Sequence, residues 1–220
     1  ASPRAWSRLL PWALAGLAVA ALGFTTLRGG GDRTGDAPIQ LAIPAPAGAV
    51  FQLSASFPAL PVISPDGRYV VFGGRAEDGS DTRLYLRSLD SNQAVALDGT
   101  RDAQYPFWSP DSRWIAYFDR NQGLKKVPVG GGPDQVICQA DNAKGGTWSP
   151  DGTIVFAPSF NSGLMKVSAL GGEPQPITVL DGDFGFDSHR HPWFLPDGRR
   201  FFFLARASSE GGSEIRLAST

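Results

Sequence analysis

The chain has 220 residues, the length of one domain or at most two. Its 27 glycines and 18 prolines make up about a fifth of it. Aromatic residues contribute 11% and charged residues only 19%, which favours many short strands joined by tight turns over a helical bundle. The net charge of −1 provides no electrostatic footprint for a nucleic-acid backbone, and the single cysteine, Cys138, excludes an internal disulfide and a multi-cysteine metal site.

A membrane-spanning helix is the first element that the sequence predicts, over residues 9–27, after a short juxtamembrane stretch at 1–8. Its 19 residues carry no charge, and as a helix they reach about 28 Å, close to the roughly 30 Å of bilayer hydrocarbon. A cleaved signal peptide is the alternative, because Ala18-Val19-Ala20 resembles a small-residue cleavage site. Both interpretations place the following residues outside the cytoplasm, unless the anchor is inverted. Two arginines stand on each side of the span, so the charge rule does not decide the orientation.

A Pro-Asp turn motif recurs four times after a polar, Gly-rich linker at 28–38. Its members are Pro65-Asp66-Gly67, Pro110-Asp111, Pro150-Asp151-Gly152 and Pro196-Asp197-Gly198, with the prolines 45, 40 and 46 residues apart. Proline presets φ for a tight turn, the Asp carboxylate accepts from a nearby backbone N–H, and Gly supplies a positive φ. Ser112 replaces Gly in the second copy, so that turn is predicted to differ slightly or to be mildly strained.

Strands are predicted at equivalent places in successive copies. Each motif is followed by a β-branched and aromatic run, which is typical of a strand buried on both faces. Further strands are predicted at 83–86, 124–127, 135–138, 164–167 and 176–179, with a last, partial repeat ending at 214–217. Small sheets repeated at a fixed period are typical of propeller blades. We therefore predict an all-β fold over residues 39–220, a partial β-propeller of about three and a half four-stranded blades, preceded by the transmembrane helix.

Few residues have a pattern typical of catalysis. No kinase HRD or DFG motif, phosphate loop or GxSxG motif occurs, so the sequence predicts no catalytic residue and no cofactor. Asp187, His189 and His191 are weak candidates for metal ligands, because imidazoles two residues apart on a strand lie on one side of it. A loop whose polar groups bond to the backbone is the favoured interpretation of these three residues.

The other repeated side chains are also predicted to be structural. Turn capping explains the four aspartates of the motif together, better than a ring of carboxylates does. Three tryptophans near the motif are predicted to pack between blades rather than to line a ligand site: Trp108, Trp148 and Trp193.

The repeats carry a family resemblance. The segments SPDGRYVVF, SPDSRWIAYF and SPDGTIVFAP resemble the Pro-Asp repeats of TolB-like, WD-type β-propellers. The longer string, from the apolar span through RLYLRSLD, LKKVPVGGGP and GGTWSPDGTIVFAPSFNSGLMKV to SHRHPWFLPDG, is similar to the extracytoplasmic region of bacterial receptor-like serine/threonine protein kinases. In that class a cytoplasmic kinase domain precedes one transmembrane helix and a propeller. The resemblance covers essentially the whole chain, and it implies a kinase domain before Ala1 and further blades after Thr220.

Three functional hypotheses follow. In the first, the chain is a single-pass, membrane-anchored sensor that binds an unknown protein or small molecule where loops of several blades meet outside the cytoplasm. These residues are then not themselves an enzyme, although the parent protein is a kinase. In the second, the chain is a TolB-like envelope scaffold without a kinase. In the third, it is the propeller of a prolyl-oligopeptidase-like peptidase whose catalytic residues follow Thr220.

Overall fold

The computed structural model describes residues 42–52, 59–180, 185–207 and 212–220, and the regular elements in these ranges are all β-strands. The predicted juxtamembrane stretch, transmembrane helix and linker lie outside the described residues. Within the ranges given above, no helix combines the length and the apolar character that crossing a membrane requires. All the strands belong to the unit formed by Pro44–Thr220.

The first sheet has five strands because two short segments share its innermost position. Its strands are β1 (Ala49–Phe51), β2 (Val62–Ile63), β3 (Tyr69–Ala76), β4 (Thr82–Ser88) and β5 (Ala94–Ala96). One edge of β3 pairs with β4, and the other edge pairs with β2 near the start of β3 and with β1 near its end. The sheet therefore keeps the predicted four positions, with the innermost one divided.

The remaining sheets are antiparallel meanders in which each strand pairs with the next one in the chain. The second sheet contains β6 (Gln104–Trp108), β7 (Trp114–Asp119), β8 (Gly123–Pro128) and β9 (Gln135–Cys138). The third contains β10 (Gly146–Trp148), β11 (Thr153–Phe156), β12 (Met165–Ser168) and β13 (Gln175–Pro176). The fourth contains β14 (Phe186–Phe194), β15 (Arg200–Ala207) and β16 (Glu214–Ser219). The strand predicted at 176–179 is therefore short and displaced, whereas the one predicted at 214–217 extends further.

Hydrophobic cores lie between successive sheets, and β7 shows why. Ile115 and Tyr117 on one face of β7 pack against the first sheet, whereas Ala116 and Phe118 on the other face pack against the third. The Phe118 ring lies 6.2 Å from that of Phe156, measured between centroids. Successive side chains of a strand point to opposite faces, so a strand covered on both sides must be apolar at every position. The unbroken apolar runs in the sequence reflect this stacking of sheets, which is the architecture of a partial β-propeller.

The Pro-Asp motif forms the hairpin turn between the innermost strand and the next strand of each sheet. In the first copy the Asp66 carboxylate accepts a hydrogen bond from the Ser64 hydroxyl at 2.6 Å and one from the Arg68 N–H at 3.1 Å. In the fourth copy the N–H groups of the two arginines that follow hold the pKa of Asp197 at about 2. The carboxylates thus cap their own turns, each in its charged form.

Ser112 adopts the same backbone conformation as the glycines that occupy its place in the other copies. Its φ is 59°, compared with 69° for Gly67, 88° for Gly152 and 66° for Gly198. The turn is therefore preserved, at a cost of about 1–2 kcal/mol for a residue that has a Cβ atom. The Ser112 hydroxyl also accepts a hydrogen bond from the Asp66 N–H of the preceding sheet, at 3.1 Å.

Two substitutions at Ser112 are expected to separate the strain from the hydrogen bond. In Ser112→Ala the strain remains and the bond is lost, so the free energy of unfolding should fall by about 1 kcal/mol. In Ser112→Gly the relieved strain offsets the lost bond, so stability should change little. Urea unfolding of both variants measures the difference, and equal stabilities of the two would contradict this account.

Candidate binding site on the inner strands

The innermost strands of the four sheets lie side by side. Strand β6 contacts β2 and β10, and β10 contacts β14. The residues that precede the hairpin motifs of all four sheets therefore lie close together. They surround a cavity of about 470 Å³, which we call the inner cavity. Its lining residues are Leu60, Val62, Tyr105, Pro106, Phe107, Gly145, Gly146, His191, Pro192 and Trp193.

One backbone position recurs in this lining with an unusual conformation. Tyr105 and His191 have φ values of 48° and 51°, and Gly145 has a φ of 98°. Each of the three lies five residues before the motif proline of its own sheet. A left-handed conformation is readily adopted by Gly but costs Tyr or His about 1–2 kcal/mol. Strained residues of this kind concentrate at binding and catalytic sites, so the position marks the inner cavity as a functional candidate.

Matching β-bulges produce the left-handed conformation in the second and fourth sheets. Tyr105 and Pro106 of β6 stand opposite a single residue of β7, and His191 and Pro192 of β14 stand opposite a single residue of β15. Proline fits the second bulge position because it has no N–H that a regular ladder would use. A bulge changes the direction of its side chains, and here the bulged residues line the inner cavity.

His191, in the fourth sheet, is fixed by groups from the second and third sheets. Its N–H donates to the Lys144 carbonyl oxygen at 2.9 Å, and its ring centroid lies 5.7 Å from that of Tyr105. A Cβ atom on Gly145 would lie 3.2 Å from His191 Nδ1, so this approach favours glycine at 145. Partial desolvation by the surrounding protein lowers the pKa of His191, and the positive charges of Arg190 and Lys144 lower it further. A neutral imidazole offers one donor and one acceptor to a ligand in the cavity.

Two cationic side chains flank the cavity-lining residues. Lys144 precedes Gly145, and its Nζ lies 6.0 Å from the centroid of the Tyr105 ring. Arg190 precedes His191 and donates from its guanidinium to the Phe160 carbonyl oxygen at 2.8 Å. The inner cavity thus combines rings, prolines and an imidazole with positive charge beside it, an arrangement suited to binding a ligand.

The three predicted metal-ligand candidates do not converge. Asp187 forms an ion pair with Arg206 at 3.1 Å. His189 is buried, with Nδ1 2.8 Å from Thr178 Oγ1, whereas His191 lies in the inner cavity. Across the described ranges, no group of three His, Cys, Asp or Glu side chains is placed to hold a metal ion. The bulge that begins at His191 breaks the alternation on which the proposed spacing of the two imidazoles depended.

The structure brings together the motif prolines, which line one further cavity of about 370 Å³ with Trp193. This second cavity lies beside the inner cavity, toward the hairpin turns, and shares part of its lining. The motif prolines are Pro65, Pro110, Pro150 and Pro196. The motif aspartates remain in their separate turns, where their carboxylates accept from nearby N–H groups.

The three tryptophans have different environments. Trp108 is buried and donates from Nε1 to the Val62 carbonyl oxygen of the first sheet at 2.9 Å, and Trp148 packs against the core between the second and third sheets. Trp193 is 66% exposed, contrary to the prediction of packing between blades. At the equivalent place in the second sheet, Phe107 is buried against Gly146 of the third. Within the described residues no sheet covers the corresponding face of the fourth, so Trp193 stays accessible.

The sequence contains a weak signal for the inner cavity. A residue followed by proline occurs five residues before the motif proline at Leu60-Pro61, Tyr105-Pro106 and His191-Pro192. A residue before proline normally adopts an extended conformation, so the sequence alone does not predict the left-handed bulges. The flanking cations come from different sheets, and only the packing of the sheets brings them together.

Several solved structures share this fold. A TolB protein from Agrobacterium tumefaciens is 18% identical, with a TM-score of 0.60 over 72% of this chain and 60% of that one. Hydrazine synthase from Kuenenia stuttgartiensis is 12% identical, with a TM-score of 0.56 over 84% of this chain and 48% of that one. A prolyl endopeptidase is 13% identical, with a TM-score of 0.52 over 86% of this chain and 32% of that one.

These likenesses show the fold, a TolB-like β-propeller region. The chain spans less than two thirds of the length of each of these three structures. No protein-family model matches the sequence, and no curated protein matches it significantly.

Proposed function

We propose that the chain is the membrane anchor and extracytoplasmic sensor propeller of a receptor-like serine/threonine protein kinase, and that its ligand binds in the inner cavity. The observation that carries the binding role is the pair of strained residues, Tyr105 and His191, in equivalent bulges of two sheets. A core residue would gain nothing from this strain, whereas a ligand-binding residue gains a fixed direction.

The position of the cavity supports a sensor role. Its lining comes from the innermost strands of four sheets, so a ligand there contacts all four at once. Such a ligand stabilises the arrangement of sheets to which it binds most tightly. A change in the packing of the sheets is then the signal that the anchor conveys. The kinase and the anchor are supported by the sequence resemblance and by the uncharged span at 9–27.

Reporter fusions test the proposed location. Alkaline phosphatase, which is active only outside the cytoplasm, is fused after Thr220 of the full chain and expressed in a Gram-negative bacterium. We expect active phosphatase in the membrane fraction. A double variant, Leu17→Arg with Val19→Arg, should abolish both the activity and the membrane association, because each charge at the centre of a span costs about 2.5–3.5 kcal/mol. Leu170→Arg with Val179→Arg is the matched control, because it adds the same charge at two exposed positions outside the span and outside the inner cavity.

Each other outcome contradicts part of the proposal. A shortened, soluble and active fusion would show a cleaved signal peptide, and an inactive fusion would overturn the extracytoplasmic location. The kinase assignment has its own test in the coding sequence upstream of Ala1. A frame that encodes the kinase lysine, HRD and DFG elements is expected there, and a start codon directly before Ala1 would exclude it.

A further inference from the structure

Positively charged side chains from the second and fourth sheets act electrostatically on Lys144, which lies next to the lining of the inner cavity. Arg120 directly follows β7 of the second sheet, Lys144 precedes β10 of the third, and Arg190 lies on β14 of the fourth. Burial lowers the pKa of Lys144, and the charges of Arg190 and Arg120 lower it further. Each arginine therefore repels Lys144 in the folded protein, and an anion bound beside Lys144 would offset this repulsion.

Two acidic groups of this region have partners of their own, although the negative charge of Asp187 also acts on Arg190. Asp187 pairs with Arg206 at 3.1 Å, and Asp119 accepts from the backbone N–H groups of the turn that follows it. Arg120 lines a neighbouring cavity together with Asp119 and Asp141, so carboxylates stand near it. Lys144 and Arg190 are the cations that flank the lining of the inner cavity itself.

Lys144 and Arg190 are oriented by polar contacts that leave donors available. Lys144 Nζ donates to Asn142 Oδ1 at 2.7 Å, and an ammonium has three donors. Arg190 donates from Nε to the Ser188 hydroxyl at 2.9 Å and from a terminal nitrogen to Phe160, and a guanidinium has five donors. An arginine held by two such bonds is well placed to receive a planar carboxylate or a phosphate.

The inner cavity supplies the apolar part of a binding site. Its volume of about 470 Å³ lies in the range that holds small organic ligands. Leu60 and Trp193 are 59% and 66% exposed, and they line the cavity with the Tyr105 ring and two prolines. Apolar and aromatic walls beside fixed cations suit a molecule that has one apolar and one anionic end.

We infer that the inner cavity binds a small organic anion, with its carboxylate or phosphate held by Lys144 and Arg190 and its apolar body against Tyr105, His191 and Trp193. This inference rests on the proposed function only in placing the ligand in the same cavity. It does not depend on the anchor or the kinase, so failure of the reporter test leaves it standing.

Calorimetric titration of the full chain in detergent tests the inference with four probes. Phenylacetate and phenyl phosphate combine a ring with an anion, phenylacetamide has the ring without the charge, and inorganic phosphate has the charge without the ring. We expect saturable binding of at least one of the two aromatic anions, with no saturable binding of phenylacetamide and at least tenfold weaker binding of phosphate. The tighter of the two aromatic anions identifies the anionic group that the site prefers.

Two lysine variants make the test specific. Lys144→Gln should weaken binding of the aromatic anion about tenfold, since a hydrogen bond to a charged group is lost. Lys166→Gln makes the same change of net charge on β12 of the third sheet, outside the lining of the cavity, and should leave binding unchanged. Circular dichroism of both variants verifies that the sheets remain folded.

The opposite results would overturn the inference. The inference fails if neither aromatic anion shows saturable binding, or if phenylacetamide binds as well as phenylacetate. It also fails if phosphate binds as tightly as the aromatic anions, or if the two lysine substitutions have equal effects. If Lys144→Gln does not fold, Arg190→Gln with its own circular dichroism spectrum replaces it, and an unchanged affinity in that variant would also overturn the inference.

Discussion

Replacing Gly123 with alanine is expected to destabilise the protein more than alanine at any exposed left-handed glycine. Gly123 begins β8 with a φ of 82°, and a Cβ atom there would lie 2.4 Å from the carbonyl oxygen of Cys138. It would also lie 2.6 Å from the backbone nitrogen of Ala140. Both contacts are with backbone atoms, which cannot turn aside as a side chain can. Left-handed strain of about 1–2 kcal/mol and overpacking of about 1–3 kcal/mol should together lower the free energy of unfolding by about 2–5 kcal/mol.

Gly131→Ala is the matched control for this prediction. Gly131 has a φ of 85°, close to that of Gly123, but a Cβ atom on it would meet nothing within 4 Å. Its substitution should cost only the strain, about 1–2 kcal/mol. Urea unfolding followed by tryptophan fluorescence compares the two variants with the native chain. Equal losses of stability would show that the approach of β8 to the chain after β9 is loose, contrary to the structure.

The sequence predicts the sheets well because local chemistry determines them. In β7 the apolar run and the preceding Pro-Asp turn specify a strand and a hairpin without reference to the rest of the chain. The position of β9 at 135–138 also agrees with the prediction. The division of the innermost strand into β1 and β2 is different, because it depends on how two distant segments meet β3. The shortness of β13 likewise depends on pairing, which periodicity does not encode.

The binding-site candidate is less predictable than the fold, for a physical reason. Tyr105 and His191 are 86 residues apart in the sequence, and their rings meet only because the second and fourth sheets both adjoin the third. Lys144 and Arg190 belong to no sequence motif. They lie beside the cavity only because the third and fourth sheets bring them there. The spacing of His191 and His189 suggests a pair of metal ligands, but the bulge gives the two imidazoles separate surroundings. The side chains of the candidate site come from different sheets, and the periodicity of the sequence does not predict which of them meet.

Replacing Asp134 with alanine is expected to destabilise the protein about as much as Gly123→Ala does. The substitution leaves the buried Lys125 ammonium without its carboxylate partner. Asp134 forms an ion pair with Lys125, whose side chain is 6% exposed. The Tyr117 hydroxyl lies 3.0 Å from Asp134 Oδ2 and 3.1 Å from the Gly99 carbonyl oxygen of the preceding sheet. Removing one partner of a buried pair costs about 3–5 kcal/mol, so Asp134→Ala should unfold at markedly lower urea concentration than the native chain.

The acid sensitivity of the protein should change in the same variant. Burial raises the pKa of Asp134, but hydrogen bonds from Lys125 and Tyr117 outweigh it and lower the pKa below its usual value. The stability that this carboxylate contributes is therefore present above the unfolded-state pKa of about 3.9 and is lost as the pH falls through its lower folded-state pKa. Asp134→Ala should accordingly lose less stability than the native chain when the pH is lowered from 5 toward 2, as measured by thermal unfolding.

A second substitution decides whether the buried charge is the cause. Lys125→Met in the Asp134→Ala background removes the buried ammonium, which then has only the Gln122 side-chain oxygen at 3.0 Å as a partner, and keeps an apolar side chain, so it should restore most of the lost stability. Glu214→Ala is the matched surface control, since Glu214 pairs with Arg216 at 3.1 Å with its side chain 55% exposed, and its loss should cost less than about 1 kcal/mol. If Lys125→Met adds a further loss instead of a recovery, the lysine still stabilises the Asp134→Ala variant, through its hydrogen bond to Gln122 at 3.0 Å, and its buried charge is not the cause of the loss. The ion pair would then be a consequence of how the first two sheets join rather than a cause of it.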